Sequence, residues 1–492
     1  MNVLMINPNR FRPHVSPVGL EYVCNSLLRE KIAFDVVDFN FEPENVVYDK
    51  LRKNNVELVG ITVRDSDSAT IPRTEFFIPG IKKLVERIKN TTDCSVVLGG
   101  GGFSVMPQEI LEYTGADFGV IRYGEEALPK LFQAIRENGD LSQIDNLIWR
   151  KNGKFQVNPI STGDYQNIPP RRRNIVRNRS YHRVYGIGNI EEKRGCPLKC
   201  GYCCELDIVG SKVVTRKISY VIEEIKELRS LGIKHLYLCD SEFNLGDQKF
   251  LFDLCEQLVK SKVGITWTVS MHPDPETMPR ELLNLMKDAG CHEVLLTCDS
   301  GSNEILAGMG KQHSAEDTIK CSELIRQANI RMVASYLGGW PGESPETLRE
   351  TFAHIKRCRF DGAVIFAGVR IFPNTKIARI AKDEGIIPED ANFLTPIFYQ
   401  PERVLEEFIP IIRRNSKYLP NCIYPTRAVY FMNLLVRNVY WQKDFTCKRY
   451  ADFLDHMNRF SQLKKLKLLG KTVLDYILPS RVRFIPNAEM EN

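Results

Sequence analysis

Apolar positions in this chain come in short blocks separated by amphipathic stretches. In the first 145 residues, Val3–Ile6, Phe34–Val37, Leu58–Val63, Ser95–Leu98 and Phe118–Ile121 have the length and composition of buried strands. Stretches such as Ile81–Ile88 and Gln108–Tyr113, between them, repeat with a helical period. This alternation predicts an α/β protein whose residues 1–145 form a doubly wound, Rossmann-like parallel sheet. A ligand of such a sheet lies beyond the carboxyl ends of its strands.

The pattern lapses over residues 146–186, where Pro169, Pro170 and Arg171–Arg173 sit among Asn, Ser and Tyr. A surface linker is expected there, its arginines on a solvated face rather than gripping a phosphate. A second series begins near Ile187, with strands expected at Ile190–Lys193, His235–Cys239, Gly264–Val269, Glu293–Cys298, Met332–Leu337 and Val364–Ile371. In Ser219–Leu231, the residues Val221, Ile222, Ile225, Leu228 and Leu231 mark one helical face, and Gly232 stops it. Six strand–helix units over residues 187–400 predict a partial (β/α)6 TIM-type barrel, with its active site at the carboxyl ends. Residues 401–492 read as a helical region ending in the basic amphipathic Leu463–Tyr476, expected as a packed surface helix rather than a membrane-bound one.

Composition narrows the class without naming it. The 492 residues are 43% hydrophobic and 26% charged, enough for several globular domains. A formal charge of +6 is mild for this length, and with no nucleic-acid motif no such partner is expected. The apolar run Val3–Ile6 is too short for a signal peptide, and the segment from Arg427 to Arg437 is too short to span a membrane. A cytoplasmic, reduced protein is therefore expected. Of its 14 cysteines most lie inside apolar patterns, as small hydrophobes.

Three do not. KRGCPLKCGYCCE places Cys196, Cys200 and Cys203 at C-x3-C-x2-C, directly after the first barrel strand. Thiolates suit iron–sulfur clusters, and three on one loop leave one iron of a 4Fe–4S cube free to chelate a small molecule. A zinc loop completed by Cys204 or a nearby histidine is the alternative.

The triplet, with Tyr202 just before its third cysteine, resembles the radical S-adenosylmethionine superfamily over roughly residues 187–400. That resemblance implies a 4Fe–4S cluster on Cys196, Cys200 and Cys203, with S-adenosylmethionine bound at its free iron. CDSEFN at the second strand's end offers Glu242 to the cofactor's ammonium. TCDSGS places Asp299 where many relatives carry a ribose-binding glutamate, so the shorter side chain departs from the family there. GGWPGES resembles the family's glycine-rich turn, and Arg370 in GVRIFPNT is expected to face the site. Tyr202, Glu242, Asp299 and Arg370 are thus the expected S-adenosylmethionine residues.

The front domain resembles the cobalamin-binding domain of one large subgroup, through PVGLEYVCNSLL, VVLGGGGFS and RYGEEALPKLF. The resemblance implies corrinoid contacts from Gly99, Gly100, Gly101, Ser104, Gly124 and Glu125, and from Arg64 and Asp65 in the polar loop RDSDSAT. That loop is similar to one in tryptophan 2-C-methyltransferase-like members. The D-x-H-x-x-G motif that supplies an axial histidine is absent around His14. The expected activity is methyl transfer through cobalt to an unactivated carbon, less often phosphorus, of a small-molecule or peptide substrate. An external electron donor of flavodoxin or ferredoxin type is implied with it. Cobalamin-assisted cyclisation, rearrangement or oxidation is the alternative, and a non-catalytic corrinoid or iron–sulfur sensor is a third. Trp340, Tyr336, His272 and Tyr399 are pocket or core residues near strand ends or just beyond the barrel.

Overall fold

Two parallel sheets follow one another, as the two alternating series require. The structure, a computed structural model, describes residues 2–10, 15–71, 74–185, 187–418 and 422–423. The first sheet runs Phe34–Asp38, Val3–Asn7, Leu58–Thr62, Ser95–Gly99, Phe118–Val120, Leu147–Lys151 and Lys154–Val157 in spatial order. Its first five strands are parallel, and the last two join antiparallel. This hairpin falls inside the stretch read as linker. Its residues WRKNGKFQV are charged and half exposed because they cover only a sheet edge, so no apolar block announces them.

The second sheet runs Gly188–Ile190, His235–Leu238, Thr266–Met271, Cys291–Asp299, Arg331–Gly338, Gly362–Ala367 and Cys422–Ile423, parallel throughout. It has one short strand more than the six expected. The expected first strand is split. Gly188–Ile190 stays in the sheet, while Lys193–Arg194 leaves it to pair antiparallel with Val214–Thr215. The expected sixth strand stops at Ala367, because Gly368 turns the chain at φ 88°. The helix expected over Ser219–Leu231 is Ile218–Ser230. Val404, Phe408, Ile409 and Ile412 join the barrel core from the helical stretch after residue 400. Leu463–Tyr476, the Arg427–Arg437 segment and His14 lie outside the described residues. No helix among the described residues is long and apolar enough to cross a membrane.

The two sheets share a core. One apolar cluster runs from Leu98 and Phe103 of the front sheet to Met309, Trp340, Val369 and Ile371 at the barrel's top. Beside it the arginine run is buried, not solvated: Arg171 and Arg173 are 1% and 0% exposed. Arg171 Nη2 lies 2.6 Å from Glu224 Oε2, Arg216 Nη2 lies 2.7 Å from Glu224 Oε1, and Arg173 Nε lies 2.8 Å from Glu21 Oε2. Linker, front helix Val18–Arg29 and barrel helix Ile218–Ser230 are thereby joined. Composition could not show this, since the carboxylates lie far off in sequence.

Burial alone would push the Glu224 carboxyl up, but Arg171 and Arg216 hold it far below the usual carboxylate range. Its pairing therefore stabilises the fold at neutral pH, and that contribution is lost progressively as pH falls below the ordinary carboxylate range. Glu224→Ala would leave three buried guanidinium groups facing the single carboxylate of Glu21 and should cost about 3–5 kcal/mol. Urea unfolding followed by circular dichroism reads this; a loss under about 1 kcal/mol would mean that the cluster carries little of the fold's stability.

Candidate active site where the two sheets meet

The cysteine loop leaves the barrel through Gly195, whose φ is 98° and where a Cβ would come 2.1 Å from the Lys212 carbonyl. Only glycine fits there. The Cys196 N–H donates to Gly210 O at 3.0 Å, the Gly201 N–H to Met309 O at 2.7 Å, and the Ile377 N–H to Gly201 O at 3.0 Å. The loop is therefore pinned from several sides. Cys196 is buried, while Cys200 and Cys203 are part-exposed, and none is disulfide-bonded. Burial pushes the Cys196 thiol up to about 11 and raises those of Cys200 and Cys203 as well. Metal loading would thus release protons.

Among the described residues, no group of three or more His, Cys, Asp and Glu side chains is arranged to hold a metal ion. Three thiolates on one loop can each bind an iron of one cubane cluster and leave a fourth iron open, so the triplet suits the cluster. Cys204 and Ile208 both pack against the apolar cluster shared by the two sheets.

At the end of the second barrel strand, Glu242 is buried, and its Oε1 accepts a hydrogen bond from Thr297 Oγ1 at 2.7 Å. Its Oε2 is buried without a hydrogen-bond partner among the described residues. An orphaned carboxylate oxygen beside the cysteine loop fits the ammonium of S-adenosylmethionine. Lys193 positions this loop by donating to the carbonyls of Glu242, Phe243 and Leu245 at 2.5, 2.7 and 2.8 Å. Asp299, held at φ 59°, spends its Oδ2 on Tyr202 Oη at 2.8 Å and on Lys311 Nζ at 2.6 Å. Arg370 reaches from the barrel to the front domain. Its Nε donates to Asp67 Oδ2 at 3.1 Å and its Nη2 to Phe393 O at 2.8 Å, bracketing the front domain to the barrel.

Front-domain residues close the other side. Gly100, at φ 108°, sits where a Cβ would meet Val63 O at 2.6 Å. Gly101 faces Arg64 O and Ile208, and Gly99 faces Val120 O. These glycines admit the neighbouring loop at close range. Ser104 Oγ donates to Gly100 O at 2.9 Å and accepts from the Arg122 N–H at 2.8 Å. Gly124 abuts Val23, and Glu125 pairs with Arg194 of the barrel at 2.5 Å. Arg64 Nε lies 3.3 Å from Asp65 Oδ2, an oxygen that accepts no hydrogen bond among the described residues. Arg64 itself is part-exposed. His14 is the one histidine in residues 1–145.

Sequence reasoning missed the clasp itself. Arg122 Nε and Nη2 donate to the carbonyls of Asp207 and Leu206 at 3.1 and 2.6 Å, and Tyr123 Oη donates to Val209 O at 2.6 Å. Those carbonyls end the short helix Glu205–Val209 that follows the third cysteine. RYGEE stood out for Gly124 and Glu125, not for Arg122 and Tyr123.

Residues 193–355 match the Radical SAM superfamily, and residues 9–132 match the B12 binding domain. This chain is a radical S-adenosylmethionine enzyme with a B12-binding domain in front. Tryptophan 2-C-methyltransferase of Streptomyces laurentii is 25% identical over 443 residues, 77% of this chain and 74% of that protein. The radical S-adenosylmethionine methyltransferase TsrM of Kitasatospora setae, solved with tryptophan and the analogue aza-SAM, is similar at TM-score 0.77 and 25% identity, covering 86% of this chain and 91% of that one. A second structure of TsrM, with cobalamin and a 4Fe–4S cluster, shares the fold at TM-score 0.81 and 22% identity, covering 95% and 100%. Cobalamin, S-adenosylmethionine and a 4Fe–4S cluster are the cofactors of this radical S-adenosylmethionine enzyme.

Anaerobically reconstituted enzyme should bind about four irons, the content of a single cubane cluster. Cys196→Ala, Cys200→Ala or Cys203→Ala should abolish this, and Cys204→Ala should not; equal loss in the Cys204 variant would contradict the ligand set. A further test concerns Glu242, whose carboxyl burial pushes up to about 8. The folded, cofactor-free chain holds this proton more tightly than the unfolded one, so stability falls as pH rises from the carboxylate range to about 8. Glu242→Gln removes that penalty. Its melting midpoint relative to wild type should therefore climb between about pH 5 and about pH 8, and a constant offset would contradict the assignment.

Proposed function

We propose that this enzyme transfers a methyl group from S-adenosylmethionine to an unactivated carbon, less often phosphorus, of a small-molecule substrate. An external electron donor of the flavodoxin or ferredoxin type belongs to the same reading. The observation that carries it is the meeting of the two sheets at their carboxyl ends. Asp67 and Ile71, after the third front strand, touch Arg370 and Gly368, after the sixth barrel strand. Arg122, after the fifth front strand, holds the helix behind Cys203. Ligands of both sheets therefore share one space.

When bound, cobalamin supplies a cobalt able to accept and pass on a methyl group, and the cluster supplies electrons and a chelating iron. The chain's own residues do the rest. Cys196, Cys200 and Cys203 would hold the cluster, and Glu242 would receive the amino group of S-adenosylmethionine on its free oxygen. Arg64 and Asp65 would border the corrin. The buried imidazoles of His272 and His313 stand edge to face with ring centroids 4.9 Å apart. Burial lowers them to about 3 and about 4, so both are neutral at physiological pH. Each has a buried Nδ1 without a hydrogen-bond partner among the described residues, available to a polar substrate group. Overall, a substrate C–H becomes C–CH3, S-adenosylhomocysteine departs, and one proton is released.

With methyl-labelled S-adenosylmethionine, the label should appear in the product alongside S-adenosylhomocysteine, and Glu242→Ala should reduce turnover by at least tenfold, the loss of roughly 1.4 kcal/mol or more of cofactor binding and orientation. A natural substrate converted with no label gained would overturn the reading.

A further inference from the structure

Lys311 is buried at the cysteine loop, its side chain 2% exposed. Its Nζ lies 3.4 Å from Cys200 Sγ and 2.6 Å from Asp299 Oδ2. The same Asp299 oxygen accepts from Tyr202 Oη, so the carboxylate is fixed from two directions. Lys311 cannot drift from the loop, because the Gly201 N–H is bonded to the carbonyl of Met309, two residues before it. Trp340 closes the same corner: a Cβ on Gly201 would come 2.7 Å from its ring, and one on Gly308 would come 2.8 Å from its Nε1. An ammonium has thus been placed, at the cost of burying it, against one particular thiol of three.

We propose that Lys311, held by Asp299, is a positioning residue that donates a charged hydrogen bond to the Cys200 thiolate and thereby sets the reduction potential of the cluster. This rests on the reading that Cys196, Cys200 and Cys203 hold that cluster. The physical reason is electrostatic. Reduction adds one electron to a cluster whose ligand sulfurs already carry negative charge. A cation bonded to one sulfur stabilises the added charge, more strongly in a site screened from water. Potentials of such clusters respond to hydrogen bonds at sulfur and to local charge. Asp299 is then a tether for the lysine. Its φ of 59° aims the short side chain back at the cysteine loop.

The test is a redox titration of reconstituted enzyme, followed by the electron paramagnetic resonance of the reduced cluster. Lys311→Met removes the charge and keeps a flexible unbranched chain only one atom shorter, and should shift the midpoint to more negative potential at unchanged iron content. Lys311→Arg should restore it most of the way. Lys311→Gln is the second uncharged variant, should Lys311→Met load poorly. A wild-type midpoint in whichever uncharged variant loads fully, or loss of iron from both, overturns the assignment. Failure of the wild-type chain to bind a cluster would instead bring down the ligand reading beneath it.

Discussion

Three guanidinium groups and two carboxylates, from Arg171, Arg173, Arg216, Glu21 and Glu224, are buried together where the linker passes between the two sheets. Such a cluster carries one positive charge in excess. The guanidinium carbon of Arg171 rests 3.8 Å from the centroid of the Tyr22 ring, whose electron-rich face offsets part of that charge. Buried ion networks are weak sources of net stability but leave few tolerable alternatives when one partner moves. Here the partners belong to the front domain, the linker and the barrel, so the relative placement of the sheets is set by a geometry that cannot slide. Every contact in the shared mouth inherits its register from that anchor.

Within this frame the cysteine loop is held more tightly than a metal-binding loop needs for its metal alone. Backbone bonds reach it from Gly210, Met309 and Ile377, and the helix behind it ends on front-domain donors. Buried, protonated thiols and a buried, protonated Glu242 follow from the same enclosure. The enclosure keeps these groups neutral until cationic partners arrive, at which point the low dielectric strengthens each new pair.

Most of the scaffold was legible in the sequence because parallel strands buried on both faces are written as unbroken apolar blocks. Leu58–Thr62 and Cys291–Asp299 fall close to where their blocks predict. What escaped was amphipathic or ionic. The edge hairpin Leu147–Val157 buries too little to leave a block, and the fate of Arg171 and Arg173 depends on acids far off in the chain. The cysteine triplet was readable because three ligands sit on one loop. Lys311, Lys193 and Arg122 were not, since a lone basic residue looks the same whether it faces water or a thiol. Arg370 stood out by its position after a strand, but its partner Asp67, 303 residues earlier, could not be read from the sequence.

The grip of Arg122 and Tyr123 on the helix Glu205–Val209 bears on modularity. In the linear sequence the chain looks like two separable cassettes joined by a connector, the sort that recombination shuffles freely. Yet the carbonyls that end this helix accept hydrogen bonds from the front domain, and a front domain lacking that arginine and tyrosine would take away those donors. The two cassettes are therefore bound to travel as a matched pair, each exchange of one requiring the other's surface to follow.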